Sequence, residues 1–347
     1  MALLSGGATD FFGLDIGTTA IRLVQLSGHD KMKALLRYAY VPLDAKTSLS
    51  DAKTDQQTVA QTIKSLVSKA GVTTRNVAVG LPSQRVFTTV VDIERLSNDE
   101  LGKSIQYQAD SLIPTPLAES KIDWQTLGDS PTDKTKVEVL LSSVPNDFVE
   151  NRLDMLEGIG LNVIAFEPES MALARAVVPA EAVLPQMILD IGNIATDLVI
   201  IMNGAPRLTR AIPTGFEAIV KATMQNLNVD EAQARQFVGK FGLNQQKLEG
   251  QVYHAISGTV DLLMSEIEKS IKFFSTRYAD QKLDRIVVTG GAAVLPEFPV
   301  YVANRFNINV EIGNAWRNVS FPASKQNELL TVSNQFGVAA GLAERQA

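Results

Sequence analysis

Cysteine is absent from the 347 residues, so the chain can build neither a disulfide framework nor a thiolate metal centre. Histidine occurs only at His29 and His254, far apart in sequence, and both are expected to be ordinary exposed or packed side chains. Positive charge is not in excess: 32 Lys and Arg stand against 38 Asp and Glu, a net charge of −6. This argues against a phosphate-backbone binder, which needs a clustered basic surface, and nucleic acid is not expected as a partner. Long apolar runs are missing too. The longest, from Met187 to Met202, contains Asp190, Asn193 and Asp197, which disqualify it as a membrane span. The first 17 residues show no basic region followed by an apolar stretch, so no secretion signal is read there. The expected location is the cytoplasm, with no direct membrane insertion and any membrane association through a partner. Low-complexity blocks and like-charge runs are also lacking, which leaves a chain expected to fold along nearly all its length.

What is present begins with a repeat. The stretch LDIGTTAIRLVQL, from Leu14 to Leu26, returns as LDIGNIATDLVII, from Leu189 to Ile201. Each reads as an apolar strand, a turn opened by Asp-x-Gly, and a second strand. The length of the chain suits two lobes with separate cores, and the repeat places one hairpin in each. The fold class is therefore α/β, with two duplicated lobes. Glycine has no Cβ to keep a ligand from the backbone, so such turns present N–H groups and hydroxyls to phosphate oxygens. The candidate contacts are Gly17, Thr18 and Thr19 in the first turn and Gly192, Asn193 and Thr196 in the second. Asp15 and Asp190, at the strand ends, are placed to receive a magnesium ion through its bound waters. A third element, VVTGGAAVLP, puts Gly290, Gly291 and Ala292 between a strand and a helix start, where backbone can lie against a base or ribose.

Between the hairpins the pattern changes. QQTVAQTIKSLVSKAG is a helix with Val59, Ile63, Leu66 and Val67 on one face and Gly71 as its cap. From residue 84 to 165 the pattern reads strand, helix, strand, helix, with the first helix ending before Pro114. We expect a first lobe from 1–83 and 166–188, an inserted subdomain over 84–165, and a second lobe from 189–347 whose C-terminal helix has the option of returning to the first lobe. A long helical region is read from Phe216 to Tyr278.

The two hairpins and the glycine turn, in this order, resemble the phosphate and adenosine motifs of the actin-like ATPase superfamily, whose lobes are ribonuclease H-like. The segments RVFTTVVDIERLSNDELGKSIQYQADSLIP, VPNDFVENRLDMLEGIG and EIEKSIKFFSTRYADQKLDRIVVTGGAAVLPEF are similar to the PilM family of type IV pilus assembly proteins, in the FtsA-like branch of that superfamily. The resemblance covers nearly the whole chain. It implies ATP and magnesium as ligands and the inserted FtsA/PilM-type subdomain in place of the usual one. Arg22 stands where many members carry a phosphate-contacting lysine, and Glu167 where a residue opening the connecting helix positions water. Asn193 replaces an acidic residue of some members, so turnover is expected to be slow or absent. The resemblance further implies docking of the cytoplasmic N-terminal tail of the inner-membrane protein PilN, association with other pilus inner-membrane components, and possible self-association. On the insert, Ile105, Tyr107, Leu112 and Ile113 are the candidate groove residues, beside the edge of strand RVFTTVVDI, although most of that apolar set is expected to pack the insert's own core. Two alternatives stay open from sequence: a small-molecule kinase of the same superfamily, for which no acceptor-activating Asp motif is found, and an FtsA-like filament, for which the C-terminal residues lack a basic amphipathic anchor.

Overall fold

A computed structural model describes residues 10–28, 33–179 and 181–346; His29 lies outside them. In the first lobe, β1 (Phe12–Ile16), β2 (Ala20–Ser27) and β3 (Lys33–Pro42) form an antiparallel meander. After a short α1 (Ala45–Leu49) comes α2 (Lys53–Ala70), which buries Val59, Ala60, Ile63 and Leu66 on one face. Gly71, at φ +69°, ends it by turning its N–H back to the carbonyls of Val67 and Ser68. Strand β4 (Asn76–Leu81) then pairs in parallel with β1.

The insert follows: β5 (Phe87–Glu94), α3 (Asn98–Leu112), β6 (Ser120–Asp129) and β7 (Lys136–Pro145). Its sheet has the order β5-β7-β6. Helix α3 starts at a capping box, in which the Ser97 N–H and hydroxyl both donate to Glu100 Oε2, at 3.2 and 2.7 Å. The chain then returns to the first lobe through α4 (Asn146–Gly158) and β8 (Asn162–Pro168). Val149 and Leu156 of α4 join the first-lobe core, and β8 pairs in parallel with β4. Both elements were expected inside an insert reaching residue 165. The insert's own sheet and helix stop at Pro145, because the apolar face of α4 matches the first lobe's sheet rather than the insert's.

Helix α5 (Glu169–Val177) crosses to the second lobe, where β9 (Gln186–Ile191), β10 (Thr196–Met202) and β11 (Ala205–Ile212) repeat the meander. The region read as one long helical stretch is three helices, α6 (Phe216–Leu227), α7 (Glu231–Phe241) and α8 (Gln251–Arg277). Asn228 at φ +52° and Gly242 at φ +48° break it, and a Cβ at 242 would meet the Pro296 carbonyl oxygen at 2.5 Å. Strand β12 (Arg285–Thr289), α9 (Phe298–Phe306) and β13 (Asn309–Ile312) complete the second sheet. Its order, β11-β10-β9-β12-β13, reproduces the β3-β2-β1-β4-β8 of the first, to which the two-residue β14 (Val319–Ser320) adds at the β3 edge. Helix α10 (Gln326–Val332) then leads to α11 (Gly337–Glu344), which returns to the first lobe and packs on α5, β1 and β2.

The end of α11 is held from three sides. Lys33 Nζ donates to the carbonyls of Ala343 and Arg345, at 3.2 and 2.8 Å, and Arg175 Nη1 to that of Gly341 at 2.6 Å. Asn318 Nδ2 donates to Glu344 Oε2 at 3.2 Å, while Glu344 Oε1 is buried without a partner among the described residues. Burial pushes the Glu344 carboxyl up to about 7, against the pull of Asn318, Arg175 and Lys33. The folded protein therefore holds this proton more tightly than the unfolded chain. The resulting stability is fully present below the ordinary value of 4.5 and is lost as pH rises through about 7. Glu344→Gln should accordingly gain about 1–3 kcal/mol relative to wild type as pH is raised across that window, as read from urea unfolding. A stability difference that does not change with pH would contradict this.

Candidate functional site

The two hairpins face each other across the cleft between the lobes. In each, one hydrogen bond closes the turn: Gly17 N–H to the Ala20 carbonyl at 3.1 Å, and Gly192 N–H to the Ala195 carbonyl at 3.0 Å. The amides of Thr18, Thr19, Asn193 and Ile194 donate to no other backbone group among the described residues. Behind the second turn, α6 begins with the N–H groups of Phe216 and Glu217 donating to the carbonyls of Gly192 and Asn193, at 3.0 and 2.8 Å. The loop's acceptors are thus taken up by the helix, and its donors are left toward the cleft.

The cleft holds a cavity of about 360 Å³. Asp15, Gly17, Thr18, Thr19, Arg22, Asp190, Gly192, Asn193, Gly290 and Gly291 all line it, so ten of the nominated residues come together from three separate segments. Gly290 sits at φ +87°, and a Cβ there would stand 2.5 Å from Asp190 Oδ1 and from the Ile191 carbonyl oxygen. Only glycine lets the β12 turn close on the second hairpin. Asn334 Nδ2 fixes that turn by donating to the Gly290 carbonyl at 2.8 Å, and the Gly290 N–H returns a bond to the Asn334 carbonyl.

Three nominations need correction. Thr196 is fully buried and spends its hydroxyl on the Thr214 carbonyl at 2.7 Å, closing the base of the loop. Ala292 is buried in the second-lobe core. Glu167 belongs to β8 and not to the connecting helix; it is fully buried, and the Arg175 guanidinium holds both its oxygens on the side of α11. The acid that opens α5 and lines the cleft is Glu169, two residues later, because Pro168 marks the true helix start.

A fourth cleft acid was missed altogether. Asp197 lines the cavity from β10, directly opposite Asp190 in the strand register. Laying one LDIG copy on the other places it at the position of Arg22, which is paired in the same way with Asp15. The repeat itself carried this signal. In the first lobe the register pair is opposite in charge, with Arg22 Nη1 3.4 Å from Asp15 Oδ2. In the second lobe it is two carboxylates.

Four acids thus share one water-poor space, and all resist ionisation. Burial, then neighbouring Asp15, raises Asp190 to about 6. Burial, then Asp190, raises Asp197 to about 7. Burial raises Asp15 against the pull of Arg22, and burial with the Asp15, Asp197 and Asp190 charges lifts Glu169 well above the usual carboxylate range. A site of reluctantly ionised carboxyls beside free N–H donors suits an anion that arrives with its own cation, whose charge would favour the ionised carboxylates. Among the described residues no group of three or more His, Asp or Glu stands close enough to hold a metal unaided, so such a cation would be shared with the ligand's oxygens and waters.

Of the four nominated groove residues, Ile105 and Ile113 are buried and Leu112 packs beside them in the core formed by α3 and the insert's sheet. They hold the insert together and form no groove. Tyr107 is on the opposite face of α3, 91% exposed. The outer edge of β5 is not free either, since Thr209 Oγ1 of β11 donates to the Thr88 carbonyl at 3.3 Å.

Among solved structures, the chain is similar to one described as a PilM-PilN type IV pilus biogenesis complex, at 23% identity with 97% of this chain and 98% of that one covered and a TM-score of 0.83. It is also similar to the ethanolamine utilization protein EutJ from Carboxydothermus hydrogenoformans, at 15% identity with 98% and 92% covered and a TM-score of 0.58. A third is MreB5 of Spiroplasma citri bound to ADP, at 14% identity with 97% and 95% covered and a TM-score of 0.52. These likenesses are of fold, and the fold is that of the actin-like ATPases. Residues 13–347 match the family described as type IV pilus assembly protein PilM, and with nearly the whole chain so matched, it belongs to that family.

Proposed function

We propose that this type IV pilus assembly protein binds ATP with magnesium in the interlobe cleft and docks the cytoplasmic N-terminal segment of PilN, which holds it at the inner membrane from the cytoplasmic side. The observation that carries the nucleotide reading is the doubled turn: four unbonded amides at Thr18, Thr19, Asn193 and Ile194, flanked by Asp15 and Asp190. The amides would take phosphate oxygens, and the two carboxylates the waters of the metal. Arg22 supplies a guanidinium already inside the cleft, and Gly290 and Gly291 leave room for the nucleoside. MreB5, with the same fold, is described bound to ADP. Magnesium would neutralise the phosphate charge that the acidic cleft otherwise repels. Glu169 and Asp197, the two cleft acids not assigned to the metal, are the groups that would orient a water. Titrating ATP into the protein by calorimetry, with magnesium and with a chelator, tests the reading; absence of binding in both would overturn it.

The PilN reading is supported by family membership and by the similar PilM-PilN complex. On this chain β6 is the outer strand on the other side of the order β5-β7-β6, and Arg207 of β11 engages it at the Leu127 carbonyl, towards the end away from α4. The start of β6 meets α4 of the first lobe through Lys121 and Glu150, 3.7 Å apart, and through Asn146 Nδ2 donating to the Ala118 carbonyl at 3.1 Å. An extended segment laid along β6 would pair by backbone and touch both the insert and the first lobe. A peptide copying the PilN N-terminus and bearing a photo-crosslinker is expected to attach within 120–129 or α4. Attachment confined to the second lobe would refute this placement.

A further inference from the structure

The face of the insert's sheet opposite α3 is pressed onto the second lobe by charge. On β7, Val137, Val139 and Leu141 enter the core under α3, so the alternate residue Glu138 points the other way. It is 2% exposed. Its Oε1 accepts from Arg277 Nη2 at 2.7 Å, Arg277 Nε at 3.1 Å and the Tyr278 hydroxyl at 2.7 Å, all from the end of α8. Arg277 Nη2 also reaches Asp92 Oδ1 of β5 at 2.8 Å. From β11, Arg207 brings Nε to 3.7 Å from Glu138 Oε2 and donates Nη2 to the Leu127 carbonyl at 3.3 Å. Two guanidinium and two carboxylate groups therefore balance across the interface. Arg207 is nonetheless incompletely bonded: it is 5% exposed, and its Nε and Nη1 make no hydrogen bond among the described residues.

An apolar interface has one well-packed optimum. This charged one is incompletely satisfied, and a small slide would let Arg207 complete its bonds to Glu138 in a second arrangement. The other end of the insert is fixed differently. Pro82 and Gln84 line the cleft, and β5 starts at Phe87, so the insert's root is a continuation of the cleft wall. There Arg85 pairs with Asp51 at 3.1 Å and stacks 5.3 Å from the Phe148 ring on α4, clasping the incoming chain to the outgoing one. The insert is thus rooted in one lobe and latched to the other. If the lobes rotate about the cleft, the covalent root must follow the first lobe, and the polar face must give.

We propose that Glu138, Arg277 and Arg207 form a latch through which the second lobe sets the position of the insert, so that closure of the cleft on nucleotide moves the insert relative to α8. The inference rests on the nucleotide reading above and deepens it: a partner seated on the insert would feel whether the cleft is filled. The test uses the absence of cysteine. Gln106→Cys on α3 and Lys272→Cys on α8, both exposed, carry spin labels, and their distance is measured in the full chain with and without ATP and magnesium. The wild-type latch should give a shift of a few ångströms on nucleotide addition. Glu138→Gln should broaden the distribution before nucleotide is added and abolish the shift. Arg277→Lys, which keeps the charge but loses the fork joining Asp92 to Glu138, should do the same and serves if the first variant does not fold. An unchanged distance in labelled wild type that calorimetry shows to bind ATP overturns the latch, as do wild-type distributions in both variants. If calorimetry shows no ATP binding, the nucleotide reading falls, and the variants without nucleotide still decide the latch.

Discussion

Gly341→Ala is expected to lower stability by about 3 kcal/mol or more, the largest loss of any single added methyl in the first lobe. The new Cβ would land on the carbonyl oxygen of Ala172, backbone against backbone, where α11 crosses α5. Neither helix can yield alone: Gly337 to Ala343 are all buried, and α5 buries Ala172, Leu173, Ala174, Ala176 and Val177. Gly337→Ala is the control. Its Cβ would meet Leu173 Cδ1, the far end of a side chain with rotamers to spare, so its cost should be clearly smaller. Urea unfolding of the two variants checks the difference; equal costs would mean that the crossing is looser than these helices show. Because Gly337 and Val338 line the cleft, Gly341→Ala should weaken nucleotide binding as well.

Asp190→Ala is expected to reduce affinity for ATP with magnesium by about 100-fold, or about 2.7 kcal/mol, without destabilising the protein. The two effects separate because of the electrostatics of the cleft. Asp190 is desolvated and repelled by Asp15, and its one side-chain partner among the described residues, the Thr289 hydroxyl at 3.4 Å, also reaches the Asn334 carbonyl at 3.2 Å. Removing the carboxylate relieves repulsion while taking away a ligand to the metal's water shell. Calorimetry for affinity and thermal unfolding for stability decide the matter together. A variant that melts early but binds ATP normally would show that Asp190 only supports the turn. Asp15→Ala should lose affinity too, with less relief, since Arg22 would be left in the cleft without its partner.

Much of this site was legible because the duplication wrote it twice. LDIG, a polar turn and a second strand gave the topology of both lobes, and the glycines fell where the backbone closes on the cavity. Asp197 does not show in what the two copies share, because it sits where they differ. Sequence position alone does not separate Glu167 from Glu169; only the pairing of β8 with β4 carries the strand through Pro168 and turns Glu167 toward Arg175. The insert divides in the same way. The 3.6-residue apolar period on α3 marks Ile105, Leu112 and Ile113 as buried, and they pack the insert's own core as most of that set is expected to, but a period does not by itself say against what a helix packs. Helix α4 has a stripe of the same kind and spends it on the first lobe. Which sheet receives a helix is settled by tertiary contacts that no local pattern encodes. The charged latch lies further still from view, because Glu138 is one acid in a strand until Arg277, 139 residues away, is placed against it.

The return of α11 also bears on how the protein is made. Lys33 finds its acceptor on Ala343 only 310 residues later, and the apolar residues Val24 and Leu26 of β2 and the buried face of α5 are covered by the same late helix. On the ribosome the first lobe would emerge with that apolar face open, and it would stay open until synthesis had passed through the insert and the whole second lobe. At about 5–20 residues per second this exposure lasts on the order of tens of seconds. The nascent chain in that interval is a natural client for a holding chaperone, and truncation just before α11 should yield aggregation rather than a smaller folded protein.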